Sequence, residues 1–99
     1  MSAIDNESIQ RLVKVFSLLE NTDEIKDFLE DLCTIKELQD MAQRLSTVMM
    51  LDEGQNYLTI SKKCGVSTAT ITRVNRCLKY GTGGYRNAVE KIKENQKCK

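Results

Sequence analysis

Lys62, Lys63, Arg73, Arg76 and Lys79 lie in a stretch that holds no carboxylate: from Gly54 to Val89 there is neither Asp nor Glu. Small hydroxyl and methyl side chains are set among them, namely Ser61, Ser67, Thr68, Ala69, Thr70 and Thr72. Clustered cations without acids attract a polyanion, and nucleic-acid phosphate rewards them whatever its sequence. Small side chains let a helix approach base edges closely, and threonine offers both a hydroxyl and a methyl. The chemistry these residues suit is binding of double-stranded DNA. Catalysis is not expected. The chain has no His, so a Ser–His or Cys–His pair is excluded. Gly81–Gly84 lacks the Gly-Lys-Ser/Thr ending of a phosphate loop and reads as a connector. Asp23-Glu24 and Glu30-Asp31 are sequence neighbours that do not converge for acid–base work. Cys33, Cys64, Cys77 and Cys98 include no C-x-x-C pair, so neither a metal nor a redox cofactor is expected.

Two short helices must position these groups. The spacing predicts a helix over about Leu58–Cys64 and another over about Thr68–Lys79. Ile60 and Cys64, one turn apart, face inward from the first. Ile71 and Val74 do so from the second. Gly65 supplies the positive φ that ends the first helix, Val66 plugs the joint, and Ser67 caps the second. Thr68, Ala69, Thr72, Arg73 and Arg76 are left on the open face. This is the pattern of a helix-turn-helix whose second helix enters the major groove. An ordinary helical hairpin that docks an acidic protein through the same cations is the alternative.

The rest of the chain also reads as helical, with no Pro and no strand-like runs. Ile9, Leu12, Val13, Phe16 and Leu19 form the apolar stripe of a first helix over about Asp5 to Leu19. Asn21 caps a second helix that carries Ile25, Phe28, Leu29 and Leu32. Thr34 and Glu37 form a capping box for a third, which runs to about Leu51 with Leu38, Met41, Ala42, Leu45, Val48 and Met49 on one face. Its stripe ends at Asp52. A last helix over about Tyr85–Asn95 carries Tyr85, Ala88, Val89 and Ile92. Three of the cysteines fall within these apolar patterns and are expected to act as small buried hydrophobes; Cys98 sits in a polar tail. The expected organisation is one all-α domain: a helical dimerisation region over 1–56, the helix-turn-helix over 57–80, and a Gly-rich connector with a C-terminal helix over 81–99.

Charge divides the same way. Residues 1–56 hold 5 basic and 12 acidic side chains, a net of −7; residues 57–99 hold 10 basic and 2 acidic, a net of +8. A total of +1 conceals this split, which suggests a separate task for each half. Hydrophobic residues at 40% and charged residues at 29% fit a globular chain. At 99 residues a monomer buries too little surface to be more than marginally stable, so a partner subunit would help. MSAIDNESIQ is polar and acidic, unlike a signal peptide, and no apolar run suits a membrane span. The cytoplasm is the expected compartment.

Ala69-Thr70-Ile71-Thr72-Arg73, followed by Leu78-Lys79, resembles the recognition helix of the Trp-repressor superfamily. Leu32-Cys33-Thr34 and Arg44 also match, and Tyr80–Ala88 resembles the YerC/YecD-type Trp-repressor-like subgroup. The resemblance covers roughly residues 23–92. It implies an intertwined all-helical homodimer that presents a helix-turn-helix on each side to a palindromic operator. It further implies a transcriptional regulator, a repressor of amino-acid biosynthesis genes, with histidine as the pathway suggested. Base contacts would come from Thr68, Ala69 and Thr72, with Thr70 and Ser61 near phosphates. A corepressor pocket would use Thr34, Arg44, Arg73 and Cys77. There the match departs: Val74 stands where that family has a glycine and Cys77 where it has a serine. Both changes speak against tryptophan as the ligand, since Val adds bulk and Cys is the weaker hydrogen-bonding group. Alternatively no effector binds, Arg44 pairs with an acid of the first half, and Arg73 meets phosphate.

Overall fold

Side-chain caps start most of the helices. In the computed structural model, which describes residues 6–97, Asn6 Oδ1 accepts from the Ile9 amide at 3.0 Å and opens α1 (Glu7–Leu18). Asn21 Oδ1 accepts from the Glu24 amide at 2.9 Å and opens α2 (Thr22–Leu32). Thr34 and Glu37 exchange bonds ahead of α3 (Ile35–Asp52): the Glu37 amide donates to Thr34 Oγ1 at 3.1 Å and the Thr34 amide to Glu37 Oε1 at 2.8 Å. Asn56 caps α4 (Tyr57–Cys64) and Ser67 caps α5 (Thr68–Tyr80). α6 (Gly84–Lys97) completes the order, and no strand occurs among the described residues. Each such cap contributes about 1 kcal/mol by satisfying an amide that the helix leaves open.

Two compact units emerge. One ends at Leu38 and the second begins at Gln39, within the first turns of α3. The first unit has no buried residue in α1 or α2. Phe16 and Phe28 meet edge to face at 5.4 Å, an arrangement that suits the ring quadrupoles. The stripe of α1 keeps Ile9, Leu12 and Leu19 of the expected set and half-buries Val15 in place of Val13. Val13 is 59% exposed and Phe16 37%, whereas Ile9, Leu12, Val15 and Leu19 are half-buried. A step of three or four fits both sets, and only packing decides between them.

The second unit has the core. Val48 of α3, Val74 and Leu78 of α5 and Val89 of α6 pack together, with Met49, Leu51 and Tyr85 around them. Ile60 and Ile71 are fully buried, as the helix-turn-helix pattern requires. Thr47 is also fully buried; its hydroxyl donates to the Gln43 carbonyl at 2.8 Å, which removes the cost of burying it. Cys64 is half-buried with its thiol 3.5 Å from the Met50 sulfur. Cys77 is exposed, so it is not the buried hydrophobe expected. The expected start at Asp5 and the tail cysteine Cys98 lie outside the described residues.

Asp52 explains why the stripe of α3 tolerates an acid. Its side chain is only 13% exposed and faces two cations of α6: Arg86 Nη1 lies 3.6 Å from Oδ1, and the Lys93 ammonium meets Oδ2. Arg86 and Lys93 are seven residues apart, two turns on one face of α6. Two members of the basic half are thus committed to holding α6 against α3. No described helix is long and apolar enough to cross a membrane.

Candidate nucleic-acid interface

Between α4 and α5 the chain turns on Gly65, Val66 and Ser67. Gly65 has φ +68°, a left-handed conformation that costs any residue with a Cβ about 1–2 kcal/mol. Space is not what requires the glycine, because an added Cβ would meet only Gln43 Nε2 at 3.7 Å. The Gly65 amide donates to the Ser61 carbonyl at 3.0 Å, and the Ser61 hydroxyl donates to the Val66 carbonyl at 2.7 Å. Ser61 is half-buried and fastens the turn. A phosphate contact through that hydroxyl requires the bond to Val66 to be released.

The open face of α5 comes next. Ser67 Oγ accepts from the Thr70 amide at 3.2 Å and also donates to Thr70 Oγ1 at 3.1 Å, so Ser67 and Thr70 lock the first turn together. Thr68, Ala69, Thr72, Arg73 and Arg76 are all exposed, as are Lys62, Lys63 and Lys79. Thr72 donates its hydroxyl proton to the Thr68 carbonyl at 3.0 Å. That leaves Thr72 with an accepting oxygen and a methyl group for an incoming surface. None of the five cations has a carboxylate partner among the described residues. Exposed and unpaired, they attract an anionic partner.

Residue type and spacing do not reveal Tyr57 and Asn75 as partners. Asn75 Nδ2 donates to the Tyr57 hydroxyl oxygen at 3.2 Å, joining the first residue of α4 to the third turn of α5. The signal that was available is Asn75's place seven residues after Thr68, on the same side of the helix.

Behind α5 lies a hollow of about 340 Å³, lined by Arg44, Thr70, Arg73, Val74, Cys77 and Tyr85. Three of the four residues expected at a corepressor pocket, Arg44, Arg73 and Cys77, therefore line one hollow. Val74 borders the hollow while most of its side chain is committed to the core. Arg44 is exposed and has no carboxylate partner among the described residues. Thr34 belongs to the first unit, where its hydroxyl is engaged with the Glu37 amide.

Known proteins resemble the chain over most of its length. It is 47% identical over 78 residues to the uncharacterized protein YerC of Bacillus subtilis (strain 168), covering 79% of this chain and 75% of YerC. A TrpR-like protein from Eubacterium eligens ATCC 27750 superposes with a TM-score of 0.84 at 42% identity, covering 90% of this chain and 92% of that one. A Trp-repressor candidate from Staphylococcus aureus superposes with a TM-score of 0.85 at 34% identity, covering 94% and 96%. The model of the Trp repressor protein family matches residues 7–93, α1 through most of α6, so the chain belongs to the Trp repressor protein family of DNA-binding regulators.

Proposed function

We propose that the chain is a homodimeric, sequence-specific repressor whose α4–α5 pair is a DNA-binding helix-turn-helix. The observation that carries this reading is the outer face of α5. Small residues at its N-terminus are exposed, as are five cations without a carboxylate partner among the described residues, and no acid occurs from Gly54 to Val89. Thr68, Ala69 and Thr72 contact bases; Lys62, Lys63, Arg73, Arg76 and Lys79 contact phosphates; Ser67 and Thr70 hold the leading turn at the backbone.

Dimerisation is supported by the first unit. No residue of α1 or α2 is fully buried, and Val13, Phe16, Leu18, Leu32 and Ile35 are all exposed. Apolar surface of that extent is a cost in water and is removed by a second copy. Two recognition helices about a two-fold axis then require a palindromic operator, with half-sites about 34 Å apart. Such work on operator DNA suits the cytoplasm.

The hollow behind α5 is the proposed corepressor site. Its two guanidinium groups suit an anionic ligand, and the side chains at Val74 and Cys77 favour one other than tryptophan. Control of amino-acid biosynthesis genes, histidine included, rests on the resemblance alone; no residue of the chain points to a pathway.

Selection of bound fragments from a random duplex pool, with and without single amino acids, tests the reading. Enrichment of a palindrome is the expected outcome. Retention of no DNA at low salt, together with capture of an acidic protein partner, would favour the interaction-module alternative. Enrichment unaltered by every amino acid would remove the amino-acid corepressor and leave the DNA reading intact.

A further inference from the structure

Thr68, Thr72, Asn75 and Lys79 follow one another at steps of four, three and four along α5. Such steps keep side chains on one stripe of a helix. The stripe starts with the residues proposed to meet bases and ends with a lysine proposed to meet phosphate. Asn75 lies within it, about 10 Å along the axis from Thr68. Its amide fixes the Tyr57 hydroxyl oxygen 3.2 Å away, so the phenol oxygen stands at the edge of that stripe.

A phenol carries one proton and can also accept. Here the oxygen accepts from Asn75, and its own proton has no acceptor among the described residues. The sequence on either side offers no charged acceptor between Gly54 and Val89, which contains no carboxylate. Lys62, Lys63, Arg73, Arg76 and Lys79 all favour an anion nearby. An oriented, unspent O–H donor in such a field is matched by an anionic oxygen. Half-burial of Tyr57 and Asn75 also limits the freedom lost when the donor is used.

We propose that the Tyr57 hydroxyl, held in place by Asn75, donates a hydrogen bond to a backbone phosphate of the operator in each half-site. Tyr57 is then a neutral contact flanking the cationic ones, and Asn75 is its positioning residue. The inference rests on the DNA-binding reading and adds to it a contact that charge counting does not find.

The test measures binding of the full-length chain to its selected operator and to random duplex DNA across a salt series. Tyr57→Phe removes only the oxygen and its proton. Each hydrogen bond to a charged group is worth roughly tenfold, so the dimer, losing one in each half-site, should bind both DNAs roughly a hundredfold more weakly. The salt slope should stay unchanged, because a neutral donor releases no counterion. Asn75→Ala should weaken binding when Tyr57 is present and add little on top of Tyr57→Phe. Single methylphosphonates scanned along the operator should reveal one position per half-site that weakens the parent protein but not Tyr57→Phe. Melting curves of both variants identify a purely structural role: a lowered melting temperature with DNA affinity within twofold of the parent overturns the proposal. So does equal sensitivity of parent and Tyr57→Phe to every methylphosphonate. If the parent retains no duplex DNA at low salt, the DNA reading fails and this contact fails with it. DNA binding that is indifferent to Tyr57 overturns the contact alone.

Discussion

The cations of α4 and α5 and two of those of α6, Arg86 and Lys93, carry the same charge and have opposite fates. Lys62, Lys63, Arg73, Arg76 and Lys79 face outward with no carboxylate partner among the described residues. Arg86 and Lys93 are turned onto the nearly buried Asp52. A charge total treats all seven alike. What separates them is whether a carboxylate of the same chain lies within reach. An unpaired cation on an open face is held in reserve for a polyanion, whereas a paired one beside a buried acid anchors a helix. The +8 of residues 57–99 therefore overstates the charge available to DNA.

Asp52→Ala should break this contrast most visibly. It leaves two ammonium or guanidinium groups without their acid and removes the charge that draws α6 onto α3. A stability loss of about 1–2 kcal/mol is expected, held below the value for a fully buried pair because both cations are half-exposed. Thermal unfolding checks it. The salt slope of DNA binding by the folded variant should match the parent's. A steeper slope would mean that Arg86 and Lys93, once released, join the DNA-facing set.

Lys62→Ala probes the other side of the comparison. Stability should change by less than about 0.5 kcal/mol, as for most exposed positions. Binding should weaken alike on operator and random DNA, with the salt slope reduced by about one per subunit. Thr72→Ala is the natural counterpart. It should leave the slope alone and relax preference at one base pair by about 1 kcal/mol, read by competition between operator variants. Identical behaviour of the two variants would dissolve the division between positioning and reading.

Local features of the fold were legible in the sequence and distant ones were not. Asn21, Thr34 with Glu37, Gly65 and Ser67 all act within three or four residues, and the structure places each where the pattern puts it. The bounds of α4 and α5 differ from expectation by a residue. Facing is harder to read. α1 half-buries Val15 rather than Val13, because its helical period admits both. Cys77 fits an apolar step yet lies exposed beside Arg44 and Arg73. The site divides in the same way. Its exposed cations and threonines follow from composition and helical period. The Tyr57–Asn75 bond and the Asp52 pairing depend on which helices meet, and no local pattern encodes that.

Arg86→Ala is expected to have the smallest effect, and the comparison is most exposed to failure there. Arg86 lies in the carboxylate-free stretch, so by composition alone it belongs with the DNA-facing cations. Its guanidinium instead sits 3.6 Å from Asp52, and Lys93 remains on the other oxygen when Arg86 is removed. The half-exposed pair should contribute no more than about 0.5 kcal/mol to stability. DNA affinity and its salt slope should both stay at the parent values, because a cation already paired with a carboxylate releases few counterions on binding. A slope reduced by about one per subunit, as expected for Lys62→Ala, would place Arg86 on phosphate. In that event Asp52 would be a partner that gives up its arginine to DNA, and intramolecular pairing would no longer distinguish the two sets of cations.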